Sequence, residues 1–259
     1  MGVLKVVILT SFENPTLSKF LDLYSRKEEN RKFEIVGVIR AQQTIQKTKK
    51  FYFKKFQKVL KIGILGTLNG IRMRKWYLLP SVQSVHIQCQ KFNIPYHEVS
   101  SINHQETASL ITKIKPDLGV SMGNSYIAKR IFSIPQEGFI NIHGEILPAY
   151  QNAQSVIWQL YNASKETGYT IHEVDNKIDH GAILLQEKYA IDFSAELMAT
   201  VKNTIQRTSV KSNDGLFRLL SDFQAFKANK QFQKGGNAYT TPSIWQFLKI
   251  VFNHSKLRK

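Results

Sequence analysis

Residues 3–40 read VLKVVILTSFENPTLSKFLDLYSRKEENRKFEIVGVIR. The first eight are largely apolar and β-branched, and turn residues follow them, which predicts a buried strand. Asn14 and Pro15 then mark a helix start, and Leu17, Phe20, Leu21 and Tyr24 recur at the spacing of one helical face. Residues 33–40 predict a second strand. Strand, helix and strand in this order predict two parallel strands joined by a crossover. The turn after the first strand carries no G-x-G-x-x-G, which disfavours a dinucleotide site of the usual kind.

The rhythm resumes beyond residue 80. Helices are expected at 84–92, 105–115, 126–132 and 154–162, and strands at 94–99, 116–121, 138–143 and 167–174, with 182–190 as the neighbour of the last. The fold class that follows is α/β: a Rossmann-like, open, mostly parallel sheet flanked by helices. We divide the chain into a domain at 1–192, interrupted by a basic, aromatic-rich insertion at 41–80, and a helical extension at 193–259.

The 259 residues carry 36 Lys and Arg against 19 Asp and Glu, a net charge of +17. The hydrophobic fraction of 42% is that of a globular protein, against disorder or a fibre. One cysteine, Cys89, excludes an intramolecular disulfide and points to a reducing, cytoplasmic location. No leader is expected, and Lys61 and two glycines break the apolar run 59–71 short of a membrane span.

The charge is concentrated. Residues 35–97 contain no acid and twelve cations, interleaved with Phe51, Tyr52, Phe53, Phe56, Trp76 and Tyr77. A second basic and apolar stretch closes the chain around Trp245, Phe247, Phe252 and Lys256. Such stretches steer anionic substrates, lie on anionic membranes, or track nucleic-acid backbones. No nucleic-acid-binding motif accompanies the charge, which disfavours the last. The expected partner is a small anionic substrate; the inner face of a membrane and a homodimer stay open.

The chemistry-bearing segment runs from Pro116 to Gln186. Asn141 and His143 alternate by two at a strand end, so they project to the same face, where functional groups of parallel sheets gather. An amide there can hold an oxyanion, an imidazole can carry a proton, and Asp179, arriving from elsewhere, can orient the ring. Without an activated Ser or Cys, this set suggests direct acyl transfer to an incoming nucleophile. Read singly, each residue also has an ordinary structural role; Asp179 before His180 and Gly181 suits a turn.

The stretch NIHGEILPAYQNAQSVIWQLYNASKETGYTIHEVDNKIDHGAILLQ, residues 141–186, resembles the core of the folate-dependent formyltransferases. Their pattern is N-x-H, S-L-L-P, a Tyr-Arg-Gly neighbourhood, E-T-G-x-T-x-H and D-x-G-x-I. The resemblance implies the formyltransferase fold and 10-formyltetrahydrofolate as the formyl donor. It gives Asn141 the oxyanion, His143 the proton and Asp179 the support of the imidazole. It places the pterin against Met122, Gly123 and Asn124, and against Val174, Asp175, Lys177 and Ile178.

Two departures leave the acceptor open. Glu145 stands where Ser is usual, and Gln151 and Asn152 stand for Arg-Gly. An added carboxylate at Glu145 would suit an amino group, so Glu145, Tyr150 and Gln151 are the expected acceptor contacts. His172 and His180 with His143 match no zinc spacing, and no metal is expected. The implied function is formyl transfer to the amine of a nucleotide-linked amino sugar or related glycan precursor. The alternatives are a hydrolase of the same donor, and a catalytically degenerate membrane- or polyanion-binding protein on this fold.

Overall fold

The computed structural model describes residues 2–42, 49–80, 83–124, 126–152 and 155–259. Seven strands form one sheet: β1 (Leu4–Thr10), β2 (Phe33–Ala41), β3 (Tyr96–Val99), β4 (Leu118–Ser121), β5 (Phe139–His143), β6 (Glu166–Glu173) and β7 (Ile183–Ala190), in the order β3-β2-β1-β4-β5-β6-β7. The first five are parallel, and β6 and β7 add antiparallel to β5. A parallel crossover takes a dozen or more residues. Only residues 174–182 link β6 to β7, so that pair closes as a hairpin.

β1 lies centrally and is buried on both faces, as its unbroken apolar run requires. Val6 and Ile8 join one core with Leu17, Phe20 and Leu21 of α1 (Pro15–Arg26). Val7 and Leu9 face the other way, toward Ala108 and Ile111 of α4 (Gln105–Ile114) and Ile131 of α5 (Lys129–Phe132). Asn14 caps α1, its side-chain oxygen accepting from the amides of Thr16 and Leu17, with Pro15 at the first helical position. The helix α3 (Val85–Lys91) adds Val85 and Cys89 to the first core.

The insertion contains α2 (Lys49–Arg74), bent where Gly63 takes φ 76°; residues 43–48 of it, Lys47 included, lie outside the described residues. α6 (Ile157–Tyr161) is shorter than the helix expected at 154–162, and residue 154 is likewise outside. The division expected at 192 falls within shared packing. Leu216, Leu219 and Leu220 of α7 (Leu197–Ser221) belong to the main core, and the short α8 (Phe223–Ala228) follows. Phe247 and Ile250 of α9 (Ile244–Leu257) pack with Met73 and Trp76 near the end of α2 and with Ile157 and Leu160 of α6.

Candidate active site

The site forms at the carboxyl ends of the parallel strands. Strand register sets Asn141 opposite Ser121 on β4 and opposite His172 on β6. Asn141 Nδ2 lies 3.2 Å from His172 Nε2. His172 Nδ1 lies 2.8 Å from the Glu173 carbonyl. A carbonyl only accepts, so Nδ1 carries the proton and Nε2 accepts from the Asn141 amide. Burial holds the His172 pKa below the ordinary value, against the opposing Glu173 carbonyl and Asp179, and keeps the ring neutral. The Asn141 amide is thereby fixed, with its second hydrogen left for another partner.

His143 makes the matching arrangement one pleat on. Its Nε2 lies 2.9 Å from the Tyr150 carbonyl, so Nε2 is the donor. Nδ1 is then the basic atom, 3.7 Å from Asp179 Oδ1. His172 Nε2 is 3.8 Å from the same oxygen, so the carboxylate sits between two imidazoles. Asp179 rides on the loop between β6 and β7 with φ 53°, and its side chain is 10% exposed. The other carboxylate oxygen accepts from the Asn152 amide at 3.0 Å, and its carbonyl accepts from Gln151 Nε2 at 3.2 Å.

These groups open on a cavity of about 440 Å³, within the size range of small-molecule sites. Asn141, His143 and Asp179 line it together with Gly123, Asn124, Val174, Asp175, Lys177 and Ile178. Sequence reading named all nine. Asn124 is itself held: its Nδ2 donates to the Leu9 carbonyl at 2.7 Å and its Oδ1 accepts from Ser11 Oγ at 2.6 Å. Asp175 is held by His180 Nδ1 at 2.9 Å. Among the described residues, no group of three His, Cys, Asp or Glu side chains is arranged to hold a metal ion.

Four expected contacts do not line this cavity. Met122 is buried in the main core and reaches only a second, smaller cavity. Tyr150 contributes its carbonyl to His143, while its ring stacks on Tyr239 at 5.6 Å. Gln151 braces the Asp179 loop and bonds through its backbone to Asn237 and Tyr239. Glu145, expected at the acceptor, is 1% exposed and faces inward. Its Oε1 accepts from the Val156 amide at 3.1 Å, and Oε2 is buried without a partner. Burial pushes this carboxyl well above the usual carboxylate range, outweighing the Ser155 hydroxyl and the Val156 amide.

The sign of the resulting pH dependence is fixed. Folded Glu145 keeps a proton that the unfolded chain gives up above about pH 4.3, so this group's contribution to stability falls as pH rises toward the folded pKa. Glu145→Gln has no such proton to lose. In urea unfolding, its stability relative to wild type should rise from pH 4 to pH 8, by up to about 1.4 kcal/mol per pH unit. A constant difference across that range contradicts the protonated assignment.

Sequence reading left His172 without a role and gave Asn152 none beyond a departure from pattern. His172 follows from register once β6 is known to run antiparallel. Asn152 has φ 52° where the family pattern has Gly, and Asn is among the few residues that adopt this backbone readily. Cys89 is buried, and burial followed by Glu13 pushes its thiol up to about 12, which removes it from the chemistry.

An open α/β sheet with an amide and an imidazole at the end of β5, and a carboxylate brought in by the β6–β7 loop, is an architecture suited to acyl-group transfer. The chain belongs to the formyl transferase family, whose model matches residues 4–218. It is 32% identical over 114 residues to a methionyl-tRNA formyltransferase from Chlorobium chlorochromatii, covering 43% of this chain and 36% of that one. It is 29% identical over 136 residues to a GDP-perosamine N-formyltransferase from Brucella melitensis, covering 52% of each. The matched parts are thus a third to a half of these relatives' lengths. A sugar N-formyltransferase structure from Shewanella sp. shares the fold, with a TM-score of 0.58 at 16% identity over 98% of this chain and 88% of that one.

Proposed function

We propose that this protein transfers the formyl group of 10-formyltetrahydrofolate to the amine of a nucleotide-linked amino sugar. The observation that carries the reading is the convergence of Asn141, His143 and Asp179 on one cavity edge. The cavity suits the donor: Ile127, Ile142, Val174 and Ile178 give apolar walls for a flat ring, and Lys177 gives a cation for an anionic tail.

The acceptor amine adds to the formyl carbon, and the formyl oxygen gains negative charge. The free hydrogen of the Asn141 amide stabilises that oxygen, and His172 prevents the amide from turning away. His143 Nδ1 takes the proton that the amine sheds. Imidazolium is the state in which both ring nitrogens donate, to the Tyr150 carbonyl and to Asp179, so the carboxylate stabilises the proton in transit. The bond to folate N10 then breaks, and the proton passes to that nitrogen.

A second cavity of about 250 Å³ shares Gly123 and Ile142 with the first and is edged by Asn14, Thr16 and Ser209. Lys177 lines the first cavity and not this one, so an acceptor seated here would lie beside the donor rather than on its cation. The sugar N-formyltransferase relatives support an amino-sugar acceptor, and the basic surface supports a diphosphate-bearing one. Incubation with the folate donor and GDP-, UDP- or dTDP-linked amino sugars should give a product heavier by one formyl group, read by mass spectrometry. Formate release with every amine unmodified identifies a hydrolase instead.

A further inference from the structure

The helix α2 is mounted inside out. In its second half, Gly66 lies against Ser243 and Pro242, and Gly70 lies against Thr241, so closely that an added methyl would press on them. Met73 is fully buried. The small residues thus face the body of the protein. Ile64, Leu65, Leu68 and Ile71, at the spacing of a single helical face, point to solvent, with Ile64 72% exposed. In the first half, Phe53, Phe56 and Leu60 make a similar stripe, and Leu60 is 68% exposed. On the neighbouring α9, Trp245, Leu248 and Phe252 recur at i, i+3 and i+7 and are exposed as well, Trp245 by 77%.

Cations flank these stripes. Residues 35–97 and 223–259 hold 19 of the chain's 36 Lys and Arg and none of its 19 acids. The rest of the chain has slightly more acids than bases, so the whole net charge resides in these two stretches. No carboxylate among the described residues makes an ion pair with Lys55, Lys58, Lys61, Arg74 or Lys75. Burial, and after it the nearby Arg74, holds the Lys58 ammonium below the usual lysine range. One acid, Glu196, borders the end of the patch, in a cavity with Arg72 and Lys75.

We propose that α2 and α9 form a docking surface for an anionic phospholipid bilayer, with the apolar stripes entering the headgroup–acyl boundary and the lysines and arginines meeting lipid phosphates. Exposed apolar area and cations on the same helices are the two terms that bind an interfacial helix. No helix among the described residues is long and apolar enough to cross a membrane, so the surface lies on the bilayer. A second copy fits poorly: a two-fold contact would set the same unpaired cations against each other. RNA fits less well than lipid: Phe53, Phe56, Trp245 and Phe252 can stack on bases, but the exposed Ile64, Leu65, Leu68 and Ile71 between them offer bases nothing.

The proposal does not depend on the transfer chemistry, and its test reads binding alone. Purified full-length protein is floated with vesicles of phosphatidylcholine and phosphatidylglycerol in equal parts, or of phosphatidylcholine only. We expect binding to the anionic vesicles, with a blue shift of tryptophan emission. Trp76 and Trp158 are already buried, so the shift reports Trp245, and Trp245→Phe should lose it while still floating. Phe56→Ser with Leu60→Ser should weaken partitioning roughly tenfold or more. Lys55→Gln with Lys61→Gln should weaken it about fivefold per charge removed. Binding should weaken but persist at about 0.5 M salt, where charge is screened within a few ångströms.

Failure to float with anionic vesicles overturns the proposal. So does equal binding by the serine double variant, or complete release by salt, since either removes the apolar insertion. Capture of RNA by wild type with vesicles left unbound assigns the surface to nucleic acid. A lipid-independent dimer abolished by the serine variant, again with vesicles unbound, assigns it to a second copy.

Discussion

His143→Ala and Asp179→Asn should each lower formyl transfer about a thousandfold, with donor affinity nearly unchanged. A positioned base contributes about 10²–10⁴ to a proton-transfer step, and Ala removes it outright. Asn at 179 acts more subtly. One amide oxygen can still accept from the Asn152 backbone, as Asp179 does at 3.0 Å. The amide nitrogen then faces His143 Nδ1, where a carboxylate oxygen stood at 3.7 Å. It donates to the lone pair that should take the amine's proton, so the base is occupied as well as unsupported. The loss should therefore fall on kcat, with KM for the donor little changed. The double variant should be no slower than His143→Ala, because the two groups act as a unit. Single-turnover rates within about tenfold of wild type in both variants would overturn the assignment.

The parts of this site that were legible in the sequence share a property: their cause is local. Asn141 and His143 alternate on a strand whose apolar start, Phe139 and Ile140, is buried on both faces and marks where the buried part ends. The Asp179 loop is marked by a run of turn-forming residues. His172 could not be given a side, because that depends on β6 running antiparallel to β5 and not on its own alternation. Glu145 reads as a surface acid, since acids are almost never fully buried; only tertiary packing encloses it. Gln151 meets Asn237 and Tyr239 across most of a hundred residues, and no spacing rule connects such positions. α2 divides along the same line. Its basic, apolar character is plain in the sequence, but a helix that turns its glycines inward and its leucines outward inverts the rule by which helix faces are read.

Gly181→Ala should destabilise the protein by about 2–3 kcal/mol, the upper range for an overpacked site, and lower transfer about a hundredfold. A methyl at Gly181 would overlap the Glu173 carbonyl oxygen, far inside van der Waals contact. That oxygen belongs to backbone and cannot swing aside. The Glu173 amide donates to the Ala182 carbonyl at 2.8 Å, Glu173 is tied to Lys230 at 2.9 Å, and the Gly181 carbonyl accepts from Gln233 Nε2 at 2.7 Å. Relief must come from the loop that leads into Gly181, and Asp179 lies two residues upstream on it. The Glu173 carbonyl also accepts from His172 Nδ1, so its displacement loosens the ring that fixes Asn141. Both arms of the trio are disturbed by one methyl, and misplacement of about 1 Å costs on the order of 100-fold in rate. Gly144→Ala supplies the contrast in stability: its methyl meets nothing nearer than Thr208 Cγ2 at 3.9 Å, so urea unfolding should shift by less than about 0.5 kcal/mol. If Gly181→Ala unfolds at the wild-type urea concentration, the β6–β7 hairpin is not packed against its own loop as described, and the placement of Asp179 falls with it.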